Sequence, residues 1–296
     1  MPLTEPLNLL FFINPHAGEH TNQDWKENII NFFHATNHRI SLCTLTGKDD
    51  DALIRQKIKT EQPHRVIAVG GDGTITLVAK TIMNSNISMG ILPGGSANGM
   101  AKELEIPLEP EKALNLLLEG EILKTDLIKV NEEICLHMSD IGLNAELVKY
   151  FEEGNRRGKW GYARVLLKVL WKKRMMYVTI ETKDAIIKRK ALVVIFANAS
   201  KYGFGAVINP ESSLHDGLFE VVIVRRLAVS ELLKMWLRPQ PFNPKKIEII
   251  KARSVEITTL HKAHFQVDGE YLGKINVLKA VVLAGSLQLI LPKKEN

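Results

Sequence analysis

The chain has 296 residues, of which 45% are hydrophobic, and a formal net charge of +6. This length is enough for two domains, and the composition excludes a fibrous or disordered protein. The chain has two cysteines and no apolar run of 18 residues, and its first residues lack the positively charged region with which a signal peptide begins. These features argue against a disulfide framework, a transmembrane helix and a signal peptide, so we expect a cytoplasmic protein.

Strand and helix signals alternate through the first third of the chain. Continuous apolar strands separated by helices are typical of a parallel sheet that is covered on both faces. Ligands of such sheets bind beyond the carboxyl ends of the strands. The predicted elements are strands at 7–13, 39–45, 66–69 and 87–92, and helices at 23–33, 49–59, 75–83 and 113–118.

Strand signals dominate from residue 122 onward, which indicates an antiparallel sandwich or barrel. We therefore divide the chain near residue 125 into a first domain, 1–125, and a second domain, 126–286. Residues 287–296 are a candidate addition to the first domain. The predicted strands are 122–130, 133–138, 176–182, 190–197, 218–224, 246–251, 254–259, 263–267, 275–283 and 287–291, and the predicted helices are 158–171 and 229–237.

Two glycine-rich loops follow successive predicted strands, at 70–74 and 93–99. Glycine lets a backbone turn tightly and approach a ligand, and a helix that begins there offers N–H groups to a phosphate. The carboxylate of Asp72 would repel a bare phosphate but suits a metal ion. A tight turn without a ligand is the alternative for either loop alone. Sequential strands usually lie side by side, so the pair favours one shared phosphate-binding crevice.

A third motif, Asp268-Gly269-Glu270, follows the predicted strand 263–267. Asp-Gly is the strongest short hairpin signal, so taken by itself this motif predicts only a hairpin turn.

Together these motifs resemble the diacylglycerol kinase and sphingosine kinase superfamily of lipid kinases, and more closely its compact bacterial branch. Their order and spacing match, and the resemblance covers essentially the whole chain. The further matching positions are Asn14-Pro15-His16-Ala17-Gly18, Asn198, Gly203-Phe204-Gly205, Pro210 and Asp216-Gly217-Leu218.

The resemblance implies an α/β nucleotide-binding domain followed by an antiparallel β-sandwich that takes the lipid acceptor, with the active site in the cleft between them. It implies ATP as the phosphoryl donor, with Mg²⁺ bridging the phosphates. Asp268 would be the general base, with Glu270 beside it, and Asp72 and Asp126 would support the metal. The residues implied to bind the nucleotide are Asn14, Gly70, Gly71, Asp72, Gly73, Thr74, Gly94, Gly95, Ser96 and Asn98.

The chain departs from the family pattern at two positions that bear on chemistry. Gly99 stands where diacylglycerol kinases usually carry Asp, so one carboxylate of the metal or water network is missing. Asn144 stands in place of the Asp in the family's Gly-Phe-Asp-Ala segment, on the acceptor side.

The expected partner is a lipid substrate at the membrane surface, with diacylglycerol as the leading acceptor. Residues 156–174 carry many basic and aromatic side chains, typical of a membrane-surface helix, although a helix packed on its own domain is the alternative. The sequence leaves peripheral membrane contact and a homodimer open. It shows no nucleic-acid-binding module, so we expect no nucleic acid partner.

Two other functions stay open on sequence grounds. NAD kinases share the Gly-Gly-Asp-Gly-Thr loop, although the Asn-Glu pair that holds their nicotinamide ribose has no convincing equivalent in this chain. A non-catalytic nucleotide-binding regulatory protein is favoured by Gly99 and Asn144, whereas Asp72, Asp268 and Glu270 argue against it.

Overall fold

The computed structural model describes residues 5–16, 24–96, 98–153, 175–199, 201–202, 206–207, 213–226 and 242–293. The chain divides into two compact units. Unit 1 comprises Met1–Thr125 and Gly285–Asn296, and unit 2 comprises Asp126–Ala284.

Unit 1 is an α/β domain built on a parallel sheet. The elements are β1 (Asn8–Ile13), α1 (Trp25–Phe33), β2 (Arg39–Thr44), α2 (Asp50–Glu61), β3 (Arg65–Gly70), α3 (Asp72–Ile82), β4 (Ser88–Pro93), α4 (Gly99–Glu103), α5 (Pro110–Glu119), the start of β5 (Glu121–Val130) and the end of β16 (Glu270–Leu291). The strands lie in the order β2–β1–β3–β4–β16, so the order reverses between β1 and β3.

Both faces of this sheet are buried, as the continuous apolar strands predict. Helices α1 and α5 cover one face, where side chains such as Phe11 and Ile67 meet Ile29 and Leu114. The alternate strand residues, which point to the opposite face, are buried too; they include Leu10, Phe12, Val66 and Ala68.

Unit 2 is an antiparallel β-sandwich, which confirms the predicted fold of the second domain. The elements that follow β5 are β6 (Glu133–Cys135), β7 (Met138–Gly142), α6 (Leu143–Glu153), β8 (Met176–Thr182), β9 (Ile186–Ala191), β10 (Val193–Ala197), β11 (Lys201–Tyr202), β12 (Ala206–Val207), β13 (Phe219–Val224), β14 (Ile247–Ala252), β15 (Ser254–Val267) and β16. The strands run in the order β14–β13–β10–β7–β15–β16. Strand β8 also pairs with β15, and β9 pairs with β8; β5 pairs with β16, and β6 pairs with β5.

Several element predictions for unit 2 were wrong in detail. The predicted strand 133–138 is two strands, β6 and β7, and helix α6 was not predicted. The predicted pair 254–259 and 263–267 is the single strand β15, whose register shifts between Thr258 and Ala263 and so breaks the apolar alternation. Likewise, 275–283 and 287–291 belong to one strand, β16. The predicted helices 158–171 and 229–237 and the basic segment 156–174 lie outside the described residues.

None of the helices in the described part of the chain is long and apolar enough to cross a membrane.

Candidate active site

Three loops meet at the carboxyl edge of the unit 1 sheet, where the strand order reverses. Asn14 follows β1, and its N–H donates to the Val69 carbonyl at 3.0 Å. Gly94 follows β4, and its N–H donates to the Gly70 carbonyl at 2.9 Å. Such a reversal point is where open α/β sheets bind their ligands.

The two glycine loops lie side by side, in backbone contact. A Cβ atom on Gly95 would lie 2.5 Å from the Gly71 Cα, and one on Gly70 would lie 2.5 Å from Thr74 Oγ1. Both distances are shorter than Cβ contacts in proteins allow. Gly95 is therefore needed for the two loops to pack together, and Gly70 leaves room for Thr74 of its own loop. The predicted adjacency of the loops is confirmed.

Asn14 and Thr74 connect the end of β1 to the first turn of α3. Asn14 Nδ2 donates to Thr74 Oγ1 at 3.1 Å, and Asn14 Oδ1 accepts from the His16 N–H at 3.0 Å. Thr74 is buried and Asn14 is half-buried. Their hydrogen bond therefore connects the end of β1 to the first glycine loop on its buried side.

Asp72 joins the first glycine loop to the second. Its carboxylate accepts hydrogen bonds from the Gly99 N–H at 3.0 Å and the Met100 N–H at 2.9 Å. Asp72 thus stabilises the start of α4, because the first N–H groups of a helix have no partner within the helix.

Asn98 also shapes the second loop. It adopts a left-handed backbone conformation (φ 49°), and its Oδ1 accepts from the Gly95 N–H at 2.8 Å. Asn tolerates this conformation better than most residues. Ser96, by contrast, is exposed at the loop tip, where a ligand can reach its hydroxyl.

The structure leaves room for a Cβ atom at Gly99. Such an atom would lie 3.4 Å from Asp72 Oδ2, an ordinary van der Waals distance. Packing at the Gly99 Cα therefore does not by itself require glycine at this position.

The motif Asp268-Gly269-Glu270 forms the turn between β15 and β16. Asp268 (φ 47°) and Gly269 (φ 88°) both have positive φ, as a two-residue type I′ hairpin requires. The conformation is thus the hairpin that Asp-Gly predicts, and Glu270 is exposed beside it.

The carboxylate of Asp268 is held by backbone amides of the segment that enters β7. Oδ2 accepts from the Leu136 N–H at 2.8 Å, and Oδ1 accepts from the N–H groups of His137 and Met138 at 2.9 and 3.0 Å. Sequence reasoning missed these bonds, because backbone donors carry no residue-type signal.

Asp126 has a structural role within unit 2. It is buried, its Oδ2 accepts from the Gly217 N–H at 2.7 Å, and its carbonyl accepts from Asn198 Nδ2 at 2.7 Å. Asp126 therefore contacts both of the matched positions Asn198 and Gly217.

The structure brings together the predicted nucleotide residues in unit 1, whereas Asp126, Asp268 and Glu270 belong to unit 2. Within the described residues, no group of three or more His, Cys, Asp or Glu side chains is placed to hold a metal ion. Mg²⁺ in phosphoryl-transfer sites is usually bound by one or two protein carboxylates, and its other ligands are substrate phosphates and water. The half-buried carboxylate of Asp72 fits that requirement.

Two family models match the chain in succession. The diacylglycerol kinase catalytic domain matches residues 8–130, and the YegS C-terminal NAD kinase beta sandwich-like domain matches residues 140–291.

Curated relatives match over most of their length. The diacylglycerol kinase of Bacillus subtilis is 24% identical over 290 residues, 95% of both chains. That of Staphylococcus saprophyticus is 27% identical over 240 residues, 78% of both chains. The probable lipid kinase YegS of Escherichia fergusonii is 29% identical over 234 residues, 77% of this chain and 78% of the relative.

A solved structure shows the same fold. The crystal structure of a diacylglycerol kinase from Bacillus anthracis superposes with a TM-score of 0.77 at 18% identity, covering 97% of this chain and 98% of the other. The two matched domains, the relatives and the loop geometry agree, and the chain belongs to the diacylglycerol kinase-like family of lipid kinases.

Proposed function

We propose that this lipid kinase transfers the γ-phosphate of ATP, with Mg²⁺, to a lipid hydroxyl, and that diacylglycerol is the leading acceptor. The observation that carries the proposal is the pair of glycine loops in backbone contact at the carboxyl edge of the unit 1 sheet, beside the point where the strand order reverses. The names of the relatives support the acceptor class.

The donor half of the reaction uses the glycine loops. Helix α3 begins at Asp72, directly after Gly71, so its N-terminal dipole end favours phosphate oxygens. Asp72 is the carboxylate in this half that would hold Mg²⁺, and the ion supplies charge neutralisation on the transferring phosphoryl group. Ser96 and Asn14 are the side chains that we expect nearest the phosphates or ribose.

The acceptor half uses the turn that carries Asp268 and Glu270. A carboxylate takes the proton from the lipid hydroxyl as its oxygen bonds to the γ-phosphorus, and ADP leaves with the electrons of the broken P–O bond. Asp268 is the predicted base. Its three backbone hydrogen bonds favour a positioning role, which makes the exposed Glu270 a second candidate for the proton.

The test is incubation of the full chain with γ-labelled ATP, Mg²⁺ and mixed vesicles that contain diacylglycerol. We expect labelled phosphatidic acid. Asp268→Asn and Glu270→Gln are compared in the same assay, and loss of the base lowers kcat by a factor on the order of 10² to 10⁴.

Each alternative gives a different result. Label in NAD but in no lipid would replace the proposal with a soluble acceptor. ATP binding with no labelled product from a total lipid extract would support a regulatory protein. If Glu270→Gln is the more damaging variant, Glu270 is the base and Asp268 positions the turn.

A further inference from the structure

Beneath the turn at Asp268 lies a group of buried polar side chains that the proposed chemistry does not use. Asp140 on β7 is fully buried, and Gln266 on β15 is 2% exposed. The two residues face each other in the antiparallel pairing of these strands. Burying a carboxylate without hydrogen bonds costs folding free energy, so the hydrogen-bond partners of Asp140 show what keeps it in this position.

The partners form a chain that ends at the turn. Asp140 Oδ2 accepts from Gln266 Nε2 and from Asn144 Nδ2. At the other end of the Gln266 amide, Oε1 accepts from the Gly269 N–H at 2.7 Å. Because one end donates and the other accepts, Asp140 fixes which way the amide faces, and the amide in turn fixes Gly269.

This chain is separate from the bonds that hold Asp268 itself. Asp268 is held through its carboxylate and through its N–H, which donates to the Met138 carbonyl at 2.9 Å. Gly269, the next residue, is held by a side chain. The position of the turn can therefore be changed by substitutions that leave Asp268 and Glu270 intact.

We propose that Asp140 and Gln266 are positioning residues, which hold the Asp268–Gly269–Glu270 turn in the geometry needed for phosphoryl transfer. The proposal rests on the proposed function, in which this turn supplies the base. A displacement of about 1 Å at a reacting group costs on the order of 100-fold in rate, so a hydrogen-bonded tether of this kind matters for kcat.

The same hydrogen-bond network explains why residue 144 is Asn. Its Nδ2 donates to Asp140 at 2.6 Å, whereas a carboxylate at this position would face a second carboxylate at hydrogen-bond distance. Two carboxylates sharing one buried site repel each other. Asn144 is therefore matched to Asp140, and the departure from the family's Asp does not indicate loss of activity.

The test compares Gln266→Met with Thr259→Val. Methionine keeps the size of the side chain but cannot bond to Asp140 or Gly269. Thr259 is a matched control, because it lies on the same strand and is buried, and its hydroxyl donates to the His261 carbonyl at 2.9 Å, away from the turn. A second variant, Asp140→Leu, is similar in size and removes the acceptor that orients the Gln266 amide.

We expect Gln266→Met and Asp140→Leu each to lower kcat by at least tenfold with an unchanged KM for ATP, and Thr259→Val to keep kcat within about threefold of the parent chain. We also expect amide hydrogen exchange at Gly269 to become about tenfold faster in Gln266→Met and in Asp140→Leu but not in Thr259→Val, as the loss of one hydrogen bond implies.

Unchanged Gly269 exchange in Gln266→Met would overturn the proposal, as would a kcat that Thr259→Val lowers equally. If the parent chain phosphorylates no lipid, the proposed function is wrong, and so is the claim that Asp140 and Gln266 position the turn for phosphoryl transfer. The exchange measurement then still decides whether the network holds the turn.

Discussion

At the scale of single residues, polar side chains of the candidate site hold the backbone of its loops. Asp72 and Asn98 both use carboxylate or amide oxygens to fix loop N–H groups. Residue types at these positions can be predicted from the resemblance, but their backbone bonds cannot, because those bonds depend on how two loops distant in sequence meet.

Asp72 should therefore have two separable roles. Asp72→Ala removes two acceptor bonds to α4, which costs about 1 kcal/mol of unfolding free energy, and it removes the carboxylate expected to hold Mg²⁺. The measurements are urea unfolding and the dependence of the rate on Mg-ATP.

Asp24→Ala is the matched control for Asp72→Ala. Asp24 caps α1 in the same unit, where its Oδ1 accepts from the N–H groups of Lys26 and Glu27 at 3.0 and 3.2 Å. We expect a similar loss of stability with unchanged use of Mg-ATP. If both variants changed the dependence of the rate on Mg-ATP equally, Asp72 would have only a structural role.

At the scale of elements, the parallel strands of unit 1 were predictable because each is apolar throughout, and residues 65–70 are nearly all buried. The β-sandwich was harder to predict in detail. Strand β15 carries a register shift near Thr258, and β16 contains a left-handed Gly285 (φ 57°), so each looked like two strands. Asp140 is a charged residue inside a strand, and no apolar pattern predicts such a position.

An ion pair between Arg189 and Glu248 connects strands β9 and β14 of the sandwich. Arg189 on β9 bonds Glu248 on β14 through two contacts, at 2.7 and 2.9 Å. The Arg189 hydrogen bond lowers the pKa of Glu248 despite the opposing effect of burial. The pair therefore contributes its full stability above the ordinary glutamate pKa, about 4.3, and loses it as the pH falls through the lower pKa of the folded state.

Glu248→Gln should accordingly lower the unfolding free energy at pH 7 by roughly 1 kcal/mol and flatten its dependence on pH below about 4.3. Urea unfolding at several pH values measures both effects. Glu256→Gln is the control, because the Lys279–Glu256 pair has one contact at 3.1 Å between more exposed side chains. A Glu248→Gln curve parallel to that of the parent chain down to pH 3 would contradict the assignment.

At the scale of the whole molecule, unit 1 is assembled from both ends of the chain. Residues 285–296 belong with residues 1–125, and the end of β16 pairs in parallel with β4, where Leu289 faces Met89. The Ser286 carbonyl also accepts from the Asn84 N–H at 2.7 Å. In chain order, the strand that completes the unit 1 sheet thus follows the whole of unit 2.

Unit 1 should therefore be sensitive to substitutions near the C-terminus. Leu289 is fully buried, and Leu289→Ala removes apolar volume next to Met89, at an expected cost of about 2–5 kcal/mol. Hydrogen exchange should accelerate in β1 and β3 and stay unchanged in β10 and β13. Leu272→Ala, on the same strand but 37% exposed, should leave all four strands protected. Unaltered protection of β1 and β3 in Leu289→Ala would mean that the first 125 residues hold their sheet without the C-terminal strand.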